Sequence, residues 1–406
     1  MRVTHVITRL IVGGAQENTI ATVLGLNSSE CGRPRPQQGQ SPTASSNTGA
    51  VDRTNINADL ISGPTTGPEG SLENAFKAKP NVLRIVPSLV RPIHPLKDLA
   101  ALAQLTKIFR ETKPDIVHTH SGKAGVLGRF AAKRAGVPII IHTIHGPSFG
   151  EFQGALANAI FKTAEKSAGR HTTHFITVAN AMTEQYLAAG IGTRDQYTRI
   201  FSGFPLEPYL NAKRDEALRS SLGIKPTDFV LGKIARLFTL KGHDDLLDVG
   251  PELIKRCPNI KFLFVGDGAW RERLQAKANA LGLGDRVLFT GLVPPTEIPR
   301  YIGIMDALVH LSRREGLPRA LPQALAAARP VVAYDCDGAR EVCIENETGF
   351  LVKTGDLSAL TNRIVQLAND SQLRERFGTR GQQFVAANFS VEHMVKQIAD
   401  LYVRLT

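Results

Sequence analysis

Short runs rich in β-branched and aromatic residues, each followed by a stretch of helical spacing, recur along the whole chain, and the series restarts near residue 205. Parallel strands need long crossovers, and helices are the usual crossover. Such alternation therefore argues for parallel sheets covered by helices on both faces. In the first half the strand candidates are Arg2–Thr8, Ala58–Ser62, Val82–Val86, Asp115–His118, Pro138–Thr143, Phe175–Val178 and Thr198–Phe201. In the second half they are Phe229–Ala235, Lys261–Val265, Val287–Phe289, Ala307–His310 and Pro330–Tyr334. At 406 residues the chain exceeds what one hydrophobic core usually supports, so two domains are expected. The predicted division is 1–204, a linker over 205–212, and 213–387. Over 388–406 runs an amphipathic helix, with Met394, Val395, Ile398, Leu401 and Tyr402 on one face, expected to cross back to the first domain.

Residues 27–55 break this rhythm. They are rich in Ser, Pro, Gln, Asn and Gly, bury too little apolar surface to offset ordering, and are predicted to form a disordered insertion. No apolar run approaches membrane-spanning length, and the N-terminal MRVTHVITRL reads as a buried strand rather than a leader. The four cysteines have neither metal-ligand nor disulfide spacing, which fits free thiols in a reducing cytoplasm. The net charge of +12 is concentrated in the first half, where residues 1–205 carry 22 Lys and Arg against 13 Asp and Glu. A basic surface favours anionic partners, such as phosphorylated substrates or an anionic membrane face. No basic-and-aromatic motif argues for nucleic acid.

The polar residues that can do chemistry cluster where strands end. Gly13 and Gly14 follow the first strand and open a helix, a place where backbone can approach an anion. His120, Ser121 and Lys123 follow the Asp115–His118 strand, and His145 follows the next one. Ligands of open α/β sheets bind at this carboxyl edge. In the second half, Arg236 and Lys241 follow a strand at a spacing suited to a diphosphate. Glu315, Gly316 and Leu317 then follow the strand Ala307–His310, just before an expected helix start. A carboxylate there accepts bonds from sugar hydroxyls, and the amides of a helix's first turn bind phosphate. No His, Cys and carboxylate set has the spacing of a structural zinc site, so no metal is expected.

The pieces IARLFTLKG, FLFVGDG, RVLFTGLV and REGLPRALPQALAAARPVVAYDCDGAREVCIENETGFLV resemble the donor domain of the retaining glycosyltransferases of family 4. GGAQ, DIVHTHSGKAGVLGRFAAKRAGVP and HTIHG resemble the acceptor domain of the same enzymes. The resemblance implies a GT-B fold, two Rossmann-like doubly wound domains facing a central cleft. It further implies sugar transfer with retention of anomeric configuration and no obligatory metal cofactor. Carried onto this chain, the family pattern assigns Arg236, Lys241, Gly14 and Leu317 to the donor diphosphate. Glu315 and Gly316 fall to the donor sugar, and His145 to the neighbourhood of the reacting sugar. Gln323 stands where the family has a ribose-binding carboxylate, and an amide there lacks charge-assisted strength.

The resulting expectation is metal-independent transfer of a hexose from a nucleoside-diphosphate sugar, UDP before GDP. The acceptor would be a glycan or lipid-linked sugar in polysaccharide or lipopolysaccharide assembly. The setting would be cytoplasmic, with the basic first domain suited to the inner membrane face. Gly13, His120, Ser121 and Lys123 are the acceptor-side candidates. Two alternatives carry different expectations. A sugar-nucleotide epimerase would need acid/base carboxylates in the first half, where Glu17 and Glu69 are the candidates. A sugar-nucleotide-binding subunit without turnover would be favoured by Gln323.

Overall fold

A computed structural model describes residues 1–28, 56–65, 70–120, 122–150 and 152–406. Most of the insertion expected over 27–55, together with Cys31, Glu69 and Ser121, lies outside the described residues. Asn27 is described and closes the helix Gly14–Leu26 onto the second strand. Its side chain accepts from the Ala58 N–H at 3.0 Å and donates to the Ala58 carbonyl at 2.7 Å.

The chain divides into two compact units. Unit 1 consists of Met1–Phe204 together with Val391–Thr406, and unit 2 of Pro205–Ser390. The strands of unit 1 are β1 Arg2–Ile7, β2 Asn57–Ser62, β3 Leu83–Ile85, β4 Ile116–His120, β5 Ile139–Ile144, β6 His174–Thr177 and β7 Tyr197–Arg199. They form one parallel sheet in the order β3-β2-β1-β4-β5-β6-β7. Unit 2 holds β8 Phe229–Ile234, β9 Ile260–Val265, β10 Val287–Phe289, β11 Ala307–His310, β12 Val331–Tyr334 and β13 Gly349–Val352. Its parallel sheet runs β10-β9-β8-β11-β12-β13. Both are Rossmann-like, and in each the strand order reverses once, between β1 and β4 and between β8 and β11.

Every residue of β4 and β5 is buried, as a strand covered on both faces requires. Alternation then sorts the side chains by face. Val3 and Ile7 of β1 and Ile116 of β4 join a core that includes Met394, Val395, Ile398, Leu401 and Tyr402 of the C-terminal helix Val391–Leu405. Val6, Val117 and Ile140 join the opposite core with Leu105, Phe109 and Ala131. The C-terminal helix thus packs on one face of the unit 1 sheet, beside the helix Gly14–Leu26. Gly25 makes this close approach possible, since a Cβ there would lie 2.7 Å from a methyl of Val395. Among the described residues, no helix is long and apolar enough to cross a membrane.

Candidate active site

In unit 2 the two loops at the strand-order reversal meet. The loop after β8 turns sharply through Leu240 and Gly242, both with φ of 66°. A Cβ on Gly242 would lie 2.2 Å from the Leu311 carbonyl oxygen, so only glycine fits this left-handed turn. The Arg313 N–H donates to the Leu240 carbonyl at 2.8 Å. Asp245 ties the same loops by accepting from Arg313 and from the Tyr334 hydroxyl, each at 2.8 Å. This scaffold sets Lys241 against the loop that follows β11. Its ammonium pairs with the Glu315 carboxylate and donates to Ser312 Oγ at 3.3 Å. Ser312 Oγ donates in turn to Glu315 Oε1 at 2.8 Å, and the Glu315 N–H donates to Asp337 at 2.7 Å.

Charge at this point is finely opposed. Burial disfavours the Glu315 carboxylate, but His310 and the Lys241 ammonium, with hydrogen bonds from Lys241 and Ser312, outweigh it and hold the carboxyl below its ordinary range. His310 Nε2 lies 3.6 Å from the carboxylate, and burial pushes that imidazole down to about 4. Beneath them Lys233 of β8 is only 1 % exposed. Burial and then the Lys241 charge push its amine down to about 7, against partial support from Asp245 and Glu315.

Lys233 has a measurable consequence. Between pH 7 and the ordinary lysine range the unfolded chain holds a proton that the folded chain releases, so protonation there opposes folding. The penalty is full below pH 7 and fades as pH rises toward 10.5. Lys233→Met should therefore stabilise unit 2 by roughly 3–5 kcal/mol at pH 6 and hardly at all near pH 10.5. Urea unfolding of both proteins at the two pH values checks this, and an equal gain at both would contradict it.

The other expected donor-side residues are placed differently from one another. Arg236 is exposed, with its guanidinium 5.3 Å from the centre of the Phe238 ring. The helix expected right after Glu315 begins only at Ala320 and ends at Ala326. Gly316 and Leu317 therefore belong to the turn ahead of it, not to its first turn. The Gly316 carbonyl accepts from the Gly338 N–H at 3.2 Å, and Leu317 is buried. Gln323 lies on that short helix and donates to the Tyr209 hydroxyl at 2.8 Å.

In unit 1, Gly13 and Gly14 form the start of the helix that follows β1. Lys123 is turned to the Asp98 carboxylate and the Pro92 carbonyl. His120 and His145 are joined: His120 Nδ1 and His145 Nε2 are 3.1 Å apart. They end a longer buried series. His120 Nε2 meets His5 Nδ1 at 2.9 Å, His5 Nε2 meets the Tyr402 hydroxyl at 3.3 Å, and that hydroxyl meets His118 Nδ1 at 2.5 Å. His118 Nε2 then meets Thr143 Oγ1 at 2.6 Å. Burial pushes His5 down to about 3 and holds His118 and His120 well below the ordinary histidine range, so these rings are neutral at pH 7. The ring nitrogens of His5, His118 and His120 lie within 4.8 Å of one another, close enough to raise the question of a metal ion. The set contains no carboxylate to offset a cation, and its nitrogens are partnered as described.

Lys233, His310, Ser312 and Asp337 were not expected as site residues, nor were His5, His118 and Tyr402. The spacing of His118 and His120 places both on one strand face, a signal present in the sequence. The rest depends on which strands pair.

Comparison with known proteins identifies the family and the fold. The family profile described as glycosyl transferases group 1 matches residues 214–384, and that of the glycosyl transferase 4-like domain matches 39–200. The UDP-Gal:alpha-D-GlcNAc-diphosphoundecaprenol alpha-1,3-galactosyltransferase of Escherichia coli is 30% identical over 323 residues, covering 78% of this chain and 82% of that protein. The capsular polysaccharide biosynthesis glycosyltransferase CapM of Staphylococcus aureus is 25% identical over 336 residues, covering 79% and 84%. Among solved structures, Anabaena HepE in complex with UDP superimposes with a TM-score of 0.78 at 22% identity, both chains being covered in full. Sucrose-phosphate synthase of Thermosynechococcus elongatus gives 0.77 at 20% identity. Both of these share the GT-B fold with this chain. The chain belongs to the family 4 glycosyltransferases and is a glycosyltransferase.

Proposed function

We propose that this enzyme transfers a hexose from UDP-hexose to a lipid-linked glycan acceptor, with retention of configuration and without a metal ion. The observation that carries this reading is the joining of Lys241, Ser312 and Glu315 at the strand-order reversal of unit 2. A cation and an ionised carboxylate side by side suit the two halves of a sugar nucleotide. We assign Lys241 and Arg236 to the diphosphate, with Gly14 and Leu317 offering backbone amides. Glu315 and Gly316 take the sugar hydroxyls, Gln323 the ribose, and His145 the reacting sugar. As the C1–O bond breaks, charge develops on the leaving diphosphate. The fixed positive charge of Lys241 and Arg236 stabilises it, the role a divalent cation plays elsewhere. The acceptor hydroxyl attacks from the same face, and its proton passes to the departing phosphate. His145 positions the sugar and is not a nucleophile.

The Escherichia coli relative is named for a UDP-galactose donor and a diphosphoundecaprenol-linked acceptor, and HepE binds UDP-glucose. Unit 1 offers surface suited to a lipid-linked acceptor. Leu96 and Leu99 of the helix Pro95–Thr112, and Leu156 and Ile160 of the helix Ala155–Gly169, are exposed, and both helices carry lysines. Gly13, His120, Ser121 and Lys123 remain the acceptor-side assignments, with Lys123 engaged by Asp98.

A thermal-shift panel of sugar nucleotides in excess chelator, followed by product analysis with a diphospholipid-linked sugar, tests the proposal. A UDP-hexose should stabilise the protein by about 2.7 kcal/mol at a hundredfold excess over its Kd. Transfer should persist in chelator and give the anomer of the donor. Strict dependence on Mg²⁺ or Mn²⁺, or an inverted product, would sink it.

A further inference from the structure

We propose that His310 takes over the Glu315 carboxylate when the donor's diphosphate draws Lys241 away, and so keeps that carboxylate ionised and in place for the sugar. The inference rests on the assignment of Lys241 to the diphosphate and of Glu315 to the sugar.

The groups around the carboxylate converge on one oxygen. Lys241 Nζ, Ser312 Oγ at 2.8 Å and His310 Nε2 at 3.6 Å all face Oε1. The first two are hydrogen bonds, and the third is too long to be one. His310 is only 6 % exposed, and its Nε2 is buried without a hydrogen-bond partner. The strand sets this up. Val309 and Leu311 join the core of unit 2, so alternation turns His310, the last residue of β11, to the other face, where Glu315 of the following loop meets it.

A neutral imidazole has one N–H and one lone pair. A lone pair aimed at an ionised carboxylate is repelled, so the N–H sits on Nε2. A buried N–H without an acceptor is costly, and native proteins rarely keep one idle. Lys241 explains why it is idle in the free protein. Its ammonium already occupies Oε1 and also donates to Ser312.

A bound diphosphate changes that balance. It carries more negative charge than one carboxylate and is the stronger attractor for the ammonium. Once Lys241 turns to phosphate, Glu315 keeps the Ser312 hydroxyl, and a buried carboxylate so poorly supported tends to take up a proton. A protonated Glu315 is a weaker acceptor for sugar hydroxyls. The His310 Nε2–H prevents this by closing on Oε1, a movement of about 0.7 Å. The Lys241 charge is also one of the causes that keep the imidazole neutral, so its cancellation by phosphate makes His310 a stronger donor. Lys233 does not fill the same place: among the described residues the carboxylate's partners within ion-pair distance are Lys241 and His310. His310 is a positioning residue, assigned to neither phosphate nor sugar, and acts through Glu315.

Two measurements on the full-length protein test the exchange. The first needs no ligand. His310→Leu fills the site without a donor, and it should leave the urea midpoint at or above the native value, since it removes an idle buried N–H. In the Lys241→Met background, where Glu315 already depends on His310, the same substitution should lower the midpoint. Equal shifts in the two backgrounds overturn the proposal. The second is calorimetric titration with UDP, which bears the charge of the departed leaving group. His310→Leu should weaken UDP binding about 10–100-fold, the worth of one charge-assisted hydrogen bond. His310→Gln keeps an N–H donor and should restore most of that affinity, whereas a merely structural imidazole would leave Gln no better than Leu. UDP binding that needs Lys241 but is unchanged in His310→Leu overturns the proposal and leaves the diphosphate assignment standing. UDP binding that is unchanged in Lys241→Met overturns the diphosphate assignment, and the exchange with it.

Discussion

Lys241→Met is expected to lower kcat by about 10²–10³-fold, the usual cost of removing one fixed group that stabilises developing negative charge. Methionine keeps the length and most of the volume of the side chain, so the loop scaffold held by Gly242, Asp245 and Arg313 should persist. The loss should fall on kcat more than on the donor KM, because the phosphate charge grows as the sugar leaves. Lys241→Arg separates charge from shape. It restores a cation, and its rate should lie between the native and Met proteins. Lys241→Met also removes one of the groups that keep Glu315 ionised. His310 and the Ser312 hydrogen bond remain, so the carboxyl should titrate higher and the acid limb of the rate profile should move up in pH. A steady-state kinetic series from pH 5 to 9 checks both effects. Full native turnover in Lys241→Met would refute the diphosphate assignment.

Glu315→Gln should cost more in kcat/KM, about 10³-fold, and it should also cost stability. The amide keeps the shape and one acceptor for a sugar hydroxyl but loses the charge-assisted bond. It leaves Lys241 without its carboxylate and withdraws one of the two groups that support a proton on buried Lys233. Breaking a fully buried pair costs about 3–5 kcal/mol. Here both side chains keep 23 % exposure, so a loss of about 1–2 kcal/mol is expected. Urea unfolding at pH 6 and initial rates over a range of donor concentrations measure the two quantities. Lys233→Met placed on top of Glu315→Gln should recover the stability and leave the rate low. Recovery of the rate as well would mean that Glu315 serves mainly to balance buried lysines rather than to hold the sugar.

The alternation of strands and helices was legible because the central strands are buried on both faces, which writes runs such as Ile139–Ile144 in apolar residues. The short last strand β13 was not read as a strand. At four residues, Gly349–Val352 carries too little pattern of its own and is defined by pairing with β12. The late start of the helix at Ala320 has a local cause, since Pro318 and the turn at Gly316 occupy the residues just before it.

Lys241 and Glu315 were legible as a loop cation and a loop carboxylate at strand ends, strengthened by the family resemblance. Lys233 was not, since a lysine inside a strand reads as an outward-facing residue until the helices covering that face are known. The buried series that ends at His145 was hidden for a different reason. His5, His120 and Tyr402 are far apart in the chain, and only the pairing of β1 with β4 and the docking of the last helix unite them.

That last helix also governs the order in which the molecule can be made. Unit 1 draws its core from Met1–Phe204 and from Val391–Thr406, and the whole of unit 2 is synthesised in between. At 5–20 residues per second, a ribosome takes roughly 10–40 s to cross that interval. Throughout it the sheet face bearing His5, His118 and His120 waits for Tyr402, and at its end unit 2 has every residue of its own core. The nascent chain therefore finishes its second unit before its first. Loss of the helix Val391–Leu405 would leave unit 2 complete and strip unit 1 of one face of its core, a lesion that shows itself only after unit 2 has been made.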